Sequence, residues 1–125
     1  MESKIHQDNP IERMNVMSGL IKDLIEIENP DYICLEQVQF QNNYRVYSQL
    51  SQMQGVIFTI LFERKLPFTL IEPTAWKSFS HIKGKKRAEQ KESTIQMVRD
   101  RFGIEATEDE ADAIGIGIWA VNNIA

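Results

Sequence analysis

Tyr32-Ile33-Cys34-Leu35-Glu36-Gln37 is the stretch whose reading decides the fold. A short apolar run ends abruptly in a carboxylate. Runs of four to eight residues rich in Ile, Leu and Val read as strands buried on both faces of a parallel sheet. In open α/β sheets the groups that touch ligands gather at the carboxyl ends of such strands, which puts Glu36 at the mouth of the sheet. The plainer account makes Glu36 the first solvated residue after a core strand. What converges on it from the rest of the chain decides between the two.

On the N-terminal side, Asn9-Pro10-Ile11-Glu12 is a helix start. Asn9 can cap, Pro10 suits the first helical position, and Glu12 sits where a capping-box acid reaches back. Ile11, Met14, Met17 or Ser18, Ile21, Leu24 and Ile25 recur at helical spacing, and Asn29-Pro30 ends the helix because a residue before proline avoids the α region. On the C-terminal side a long helix is predicted from Asn42-Asn43 to about Lys65, with Val46, Leu50, Met53, Ile57, Ile60 and Leu61 as its stripe. Gly55 inside it points to a close packing contact. Apolar residues on more than one side of this helix fit either simple burial or a dimer partner.

Phe68-Thr69-Leu70-Ile71 is a second short strand stopped by Pro73, followed by a short helix over 74–79 carrying Trp76 and Lys77. A basic loop around Gly84 leads into a helix over 88–102, with Ile95, Val98 or Met97, and Phe102 inward and Gly103 as its stop. Thr107 and Glu110 form a capping box at the start of the last helix. Helix, strand, helix, strand, helices is an α/β order with parallel strands.

At 125 residues the chain is read as one domain, residues 1–125, large enough to bury a core. No apolar run reaches the roughly eighteen residues of a membrane span. The first residues, from Met1 to Asp8, lack a signal-peptide pattern, and the single cysteine, Cys34, excludes an intrachain disulfide; a cytoplasmic setting fits. Inside a strand, Cys34 reads as a small buried hydrophobe.

The net charge of −4 hides a segregation. Between Thr74 and Glu92, Lys77, Lys83, Lys85, Lys86, Arg87 and Lys91 stand against Glu89 and Glu92, a balance of +4, so the remainder carries −8. The last helix opens with Glu108, Asp109, Glu110 and Asp112. Acids in a first turn complement the helix dipole. Asp112, however, shares a face with Ile116 and Trp119, and Asp109 lies one turn before it, so Asp112 is directed toward the core layer. The small residues Ala111, Ala113, Gly115 and Gly117 let a backbone approach from beneath. A buried carboxylate needs a cation, and a metal ion shared with Glu36 would supply one. Hard oxygen ligands suit Mg²⁺ or Mn²⁺, and no His/Cys cluster suggests zinc. The basic loop read alone is a solvated charge run, and beside such a site it is a phosphate-holding surface. Trp76 and Phe79 suit base stacking or the core. His6 and His81 have no spaced partners.

Ile33-Cys34-Leu35-Glu36-Gln37-Val38, the Gln54-Gly55 pair in the long helix, the run from Ala88 through Lys91 to Met97-Val98, and Glu110-Ala111-Asp112-Ala113-Ile114 with alternating small and Ile residues after it resemble one family. Their order and spacing are similar to those of the RuvC Holliday junction resolvases, of the ribonuclease H-like superfamily. The resemblance runs from Pro10 to the C-terminus. It implies a three-layer α/β fold with mostly helices around a small parallel sheet. It also implies an Mg²⁺-dependent (or Mn²⁺-dependent) crossover junction endodeoxyribonuclease acting on branched DNA in recombination and repair. Glu36 matches the family's second metal-binding carboxylate, and Asp109 and Asp112 the pair that completes the cluster. Lys91 aligns with a lysine near the active site and Lys77 with one implicated in contacting the junction; Lys83, Lys85, Lys86 and Arg87 would add DNA contacts. Family members pair as homodimers through the helix that corresponds to residues 43–65. An aromatic residue soon after the strand glutamate helps open the junction; Gln39 falls in that place, and Phe40 beside it is the candidate.

One departure is large. Family members begin with a three-stranded meander whose first strand supplies the leading catalytic aspartate, whereas here only Asp8 precedes the first helix, beside its cap. The expectation is an N-terminally truncated domain, a shortened phage or prophage reading frame, or one half of a split protein, with a two-stranded sheet and an exposed edge. Two other readings share the fold: a catalytically inactive DNA-binding or assembly module, and another ribonuclease H-like nuclease acting on RNA–DNA hybrids.

Overall fold

The computed structural model describes residues 9–40 and 42–124. Asp8 and the residues before it lie outside the described residues. The element order is α1 (Pro10–Glu28), β1 (Ile33–Glu36), α2 (Tyr44–Glu63), β2 (Phe68–Ile71), α3 (Pro73–Phe79), α4 (Arg87–Phe102) and α5 (Glu108–Asn123). β1 and β2 form a two-stranded sheet among the described residues. The Ile33 N–H donates to the Pro67 carbonyl at 3.1 Å and the Gln37 N–H to the Ile71 carbonyl at 2.8 Å, and this constant offset is that of a parallel pair. The chain divides into two compact units, and both strands begin in the first and end in the second.

The first unit holds α1 and α2, which pack against each other. Helix starts follow from short polar side chains that satisfy the free N–H groups of a first turn. The Asn9 side chain accepts from the Ile11 and Glu12 N–H groups at 3.0 and 3.1 Å, and Asn43 accepts from Val46 at 3.2 Å. Asn29 ends α1 in the left-handed region at φ 45°, donating its N–H to the Ile25 carbonyl. Among the described residues of this unit, only Ile60 and Leu61, near the end of α2, are buried. The Phe58 and Phe68 rings stack 5.4 Å apart.

Two expectations fail in this unit and a third in β1. Ile11, predicted to face the core, is 74% exposed, and Leu24, Val46 and Leu50 are exposed as well. Helical spacing states which residues share a face and not whether another element covers it. Gly55 has nothing within 4 Å of where a Cβ would stand, so it marks no close contact. β1 is half-buried along its whole length instead of buried on both faces, because in a sheet of two strands each strand is an edge.

The second unit holds α3, α4 and α5 with the strand ends. Its core is Ile71, Trp76, Val98 and Ala111, and Thr94 is buried with them, its hydroxyl donating to the Gln90 carbonyl at 2.8 Å. Helix α5 packs against both α3 and α4. Gly103 ends α4 at φ 68°, as its position predicts. The Arg99 guanidinium then clamps Glu105 through Nε at 2.7 Å and a second nitrogen at 2.8 Å, which fixes the approach to α5. Thr107 and Glu110 form the predicted reciprocal cap, at 3.2 and 2.9 Å. Phe102, expected inward, is 52% exposed, and Thr94 takes the buried place one turn before Val98.

Candidate functional site

Glu36 is the last residue of β1, immediately before the ladder bond of Gln37. Its carboxylate therefore emerges where the strand pair ends. The chain leaving β2 turns at Pro73, which occupies the first turn of α3, and carries Trp76 and Lys77 onto the same region. The Trp76 indole is fully buried, and its Nε1–H donates to Glu36 Oε2 at 2.6 Å. Trp76 is thus a core residue and not a base-stacking one; Phe79, the other stacking candidate, is exposed.

Helix α5, packed against α3 and α4, carries Asp109 and Asp112, one turn apart. The buried line of α5 is Ala111 and Gly115, with Asp112 half-buried beside it. The small residues admit a side chain and not the backbone expected: a Cβ on Gly115 would stand 2.5 and 2.6 Å from two carbons of the Trp76 ring. Gly117 has nothing within 4 Å.

Burial pushes the Asp112 carboxyl above the ordinary aspartate range. The negative charge of Glu36 pushes it further the same way, Lys77 and Lys91 pull it back down, and Asp109 adds a smaller upward push. Four side chains named from the sequence therefore act electrostatically on a fifth, Asp112. Lys77 Nζ donates to Gln90 Oε1 at 3.1 Å and lies 5.6 Å from the centre of the Trp76 ring. Lys91 Nζ pairs with Glu108 Oε2 at 2.5 Å.

The donor chemistry fits a hard divalent cation in kind, being carboxylate oxygen with the like-charge crowding that a cation relieves. Among the described residues, no three His, Cys, Asp or Glu side chains stand close enough together to enclose a metal ion.

The basic loop is exposed at Lys83, Lys85, Lys86 and Arg87 but fastened to α4 through its backbone. The Lys83 N–H donates to the Ser93 hydroxyl at 2.9 Å, the Gly84 carbonyl accepts from Gln90 Nε2 at 3.1 Å, and the Lys86 N–H donates to Glu89 Oε1 at 3.0 Å. Gly84 has φ 117°, and a Cβ there would meet the Glu89 Cβ at 2.6 Å. Only glycine suits both demands. Gln90 thus joins Lys77 to the loop, a role the sequence did not reveal.

Phe40 belongs to the first unit, where it is exposed and sets its ring edge-on to Tyr47, 5.5 Å between centres. Burial raises the Cys34 thiol, as expected of a packed cysteine and not of a thiolate nucleophile. Two residues of the site were missed, Trp76 as a partner of Glu36 and Glu108 as a partner of Lys91. No spacing rule joins groups 40 and 17 residues apart.

The model of the family Crossover junction endodeoxyribonuclease RuvC matches residues 3–120. The chain belongs to the RuvC family. Junction-resolving endonuclease is the function this membership supports. Among curated RuvC proteins, that of Dictyoglomus thermophilum is 24% identical over 106 residues, covering 85% of this chain and 67% of its own length. The RuvC of Polynucleobacter necessarius is 27% identical over 121 residues, covering 95% and 70% respectively. This RuvC-family chain therefore spans about two thirds of such relatives. Among solved structures, T. thermophilus RuvC in complex with Holliday junction substrate superposes with a TM-score of 0.74 at 18% identity, over 96% of this chain and 71% of that one. A second Thermus thermophilus RuvC structure gives 0.72 at 16%. At these identities the superpositions establish the fold, and it is the expected ribonuclease H-like one, helices around a small parallel sheet. Among the described residues no helix is long and apolar enough to cross a membrane.

Proposed function

We propose that this chain is a divalent-metal-dependent endonuclease acting on branched DNA, as part of junction resolution in recombination and repair. Residues 1–125 are taken as one nuclease domain, since the family match runs across both compact units. The observation that carries the reading is the surroundings of Asp112, where two acids and two lysines from four different elements act on one carboxyl. Glu36, Asp109 and Asp112 would hold Mg²⁺ or Mn²⁺, which when bound supplies Lewis-acid polarisation of the phosphate and an activated water. Asp112 must be ionised to serve, and Lys77 and Lys91 favour that form. Lys91, released from Glu108, would balance charge at the scissile phosphate. Lys77, with Lys83, Lys85, Lys86 and Arg87, would hold neighbouring phosphates, and Phe40 would take the junction-opening role.

Glu36→Gln and Asp112→Asn should each abolish Mg²⁺-dependent nicking of a four-way junction while leaving the fold intact by circular dichroism. Nicking at the wild-type rate in either variant would refute the site assignment. A second reading, a junction-binding module without chemistry, is favoured by the lack of a three-carboxylate group among the described residues. It predicts salt-sensitive junction binding with no cleavage by the wild-type chain at any Mg²⁺ or Mn²⁺ concentration.

We further propose a homodimer formed through residues 43–65. Tyr44, Val46, Leu50 and Phe62 are exposed on α2, Phe62 to 83%, and large exposed apolar residues on one helix suit a protein partner. Light scattering should give twice the mass of the chain, and a stable monomer at high concentration would count against the interface.

A further inference from the structure

The fully buried tryptophan beside Glu36 fills space in the core, yet its polar edge is spent on one oxygen. An indole N–H can only donate, and when buried it needs an acceptor. Here the acceptor is a carboxylate at 2.6 Å, a short, charge-assisted contact. The ring that makes it is fully enclosed. Gly115 lies against its opposite edge, so closely that a methyl group there would stand 2.5 Å from the ring. Gly115 is three residues after Asp112 on α5. One rigid side chain therefore touches both the strand-end carboxylate and the helix backbone beside the second carboxylate.

We propose that Trp76 is a positioning residue, a spacer that holds the Glu36 carboxylate at a fixed offset from the helix carrying Asp109 and Asp112. The role rests on the nuclease reading given above. Sites work when the groups of their inner shell are oriented by locked outer partners, and a donor on a wedged aromatic ring is such a partner. A Phe in its place would keep most of the volume and lose the N–H, taking that one donor away from Glu36 Oε2. A purely structural tryptophan would be insensitive to that difference once the protein is folded.

The test uses the full chain and reads the indole directly. Trp76 and Trp119 are the two tryptophans, so ¹H–¹⁵N spectra should show two indole signals, assigned with Trp119→Phe. The Trp76 signal should be slow to exchange with solvent and should move in Glu36→Gln, with Trp119 little changed. Titration with Mg²⁺ alone should shift it in the wild type and not in Glu36→Gln. In nicking assays Trp76→Phe should raise the half-saturating Mg²⁺ concentration by about tenfold or more, in the range that outer-shell partners cost. A Trp76 signal indifferent to Glu36→Gln, or an unchanged Mg²⁺ midpoint in folded Trp76→Phe, overturns the proposal. If Trp76→Phe does not fold, the wild-type and Glu36→Gln spectra decide alone. Wild-type nicking retained by Glu36→Gln would sink the nuclease site while the spectra still judge the indole contact.

Discussion

Replacing Gly115 by Ala tests the packing on which the site depends, and Gly117→Ala on the same helix is its control. In a helix interior Ala is favoured over Gly by about 1 kcal/mol. At Gly117 nothing lies within 4 Å of the added methyl, so that gain stands alone and the variant should melt higher. At Gly115 the methyl would lie 2.5 and 2.6 Å from two ring carbons of a fully buried Trp76. Carbon atoms pack comfortably at about 3.5–4.0 Å, so the overlap is roughly 1 Å. Overpacking of this kind costs up to about 3 kcal/mol, and subtracting the helix gain of about 1 leaves a net loss of about 2 kcal/mol. At roughly 4 °C per kcal/mol for a chain of this size, Tm should fall by about 8 °C. Thermal melts followed by circular dichroism, run in parallel on both variants, measure the contrast. Equal melting temperatures for the two, or a higher one for Gly115→Ala, would refute the contact between the ring and α5.

The other expectations concern charge. Lys85→Ala, Lys86→Ala and Arg87→Ala combined should weaken junction binding and flatten its dependence on salt, by about 0.9 in the log–log slope for each phosphate no longer neutralised; an unaltered slope in fluorescence anisotropy would remove the loop from the DNA surface. Asp112 has a folded-state pKa raised by burial first and by Glu36 next. Its contribution is therefore favourable below the unfolded pKa and is lost as pH rises through the folded one. In chelator, Asp112→Asn should raise Tm at neutral pH, and the gain should shrink steadily on acidification as the folded-state carboxyl takes up its proton. A gain that grows on acidification would contradict the assigned environment. Wild-type protein should gain stability from added Mg²⁺ by linkage, and Asp112→Asn much less.

Local chemistry was legible in the sequence and long-range chemistry was not. The caps at Asn9, Asn43 and Thr107 and the glycine stop at Gly103 depend on bonds within three or four residues, and each stands where its sequence placed it. The spacing of Asp109 and Asp112, one turn apart, was legible for the same reason. Burial depends on what another element covers. Hence Ile11 and Phe102 were expected inside and lie outside, while Thr94, a polar residue, was not expected in the core. The acidic start of α5 has an ordinary explanation in the helix dipole, and this concealed Glu108, whose carboxylate reaches Lys91 on the neighbouring helix. Trp76 was legible as core by its type, but its hydrogen bond to Glu36 joins residues brought together only by the parallel pairing of β1 and β2.

The pairing of Lys91 with Glu108 has a consequence for how nucleic acid is exchanged at the site. A lysine facing water carries a loosely held cloud of small anions, and a phosphate that displaces them is helped by dilution of those ions into the solvent. Lys91 instead has its counter-charge covalently tethered, on α5 of the same chain. On the proposed reading, a phosphate arriving there would displace a carboxylate that cannot diffuse away, so this contact would draw little from low salt, unlike those proposed for the exposed loop. The loop would then govern how readily DNA is captured as ionic strength changes. Lys91 would engage only a phosphate that outcompetes Glu108 in geometry, which makes the ion pair a filter for correctly seated strands.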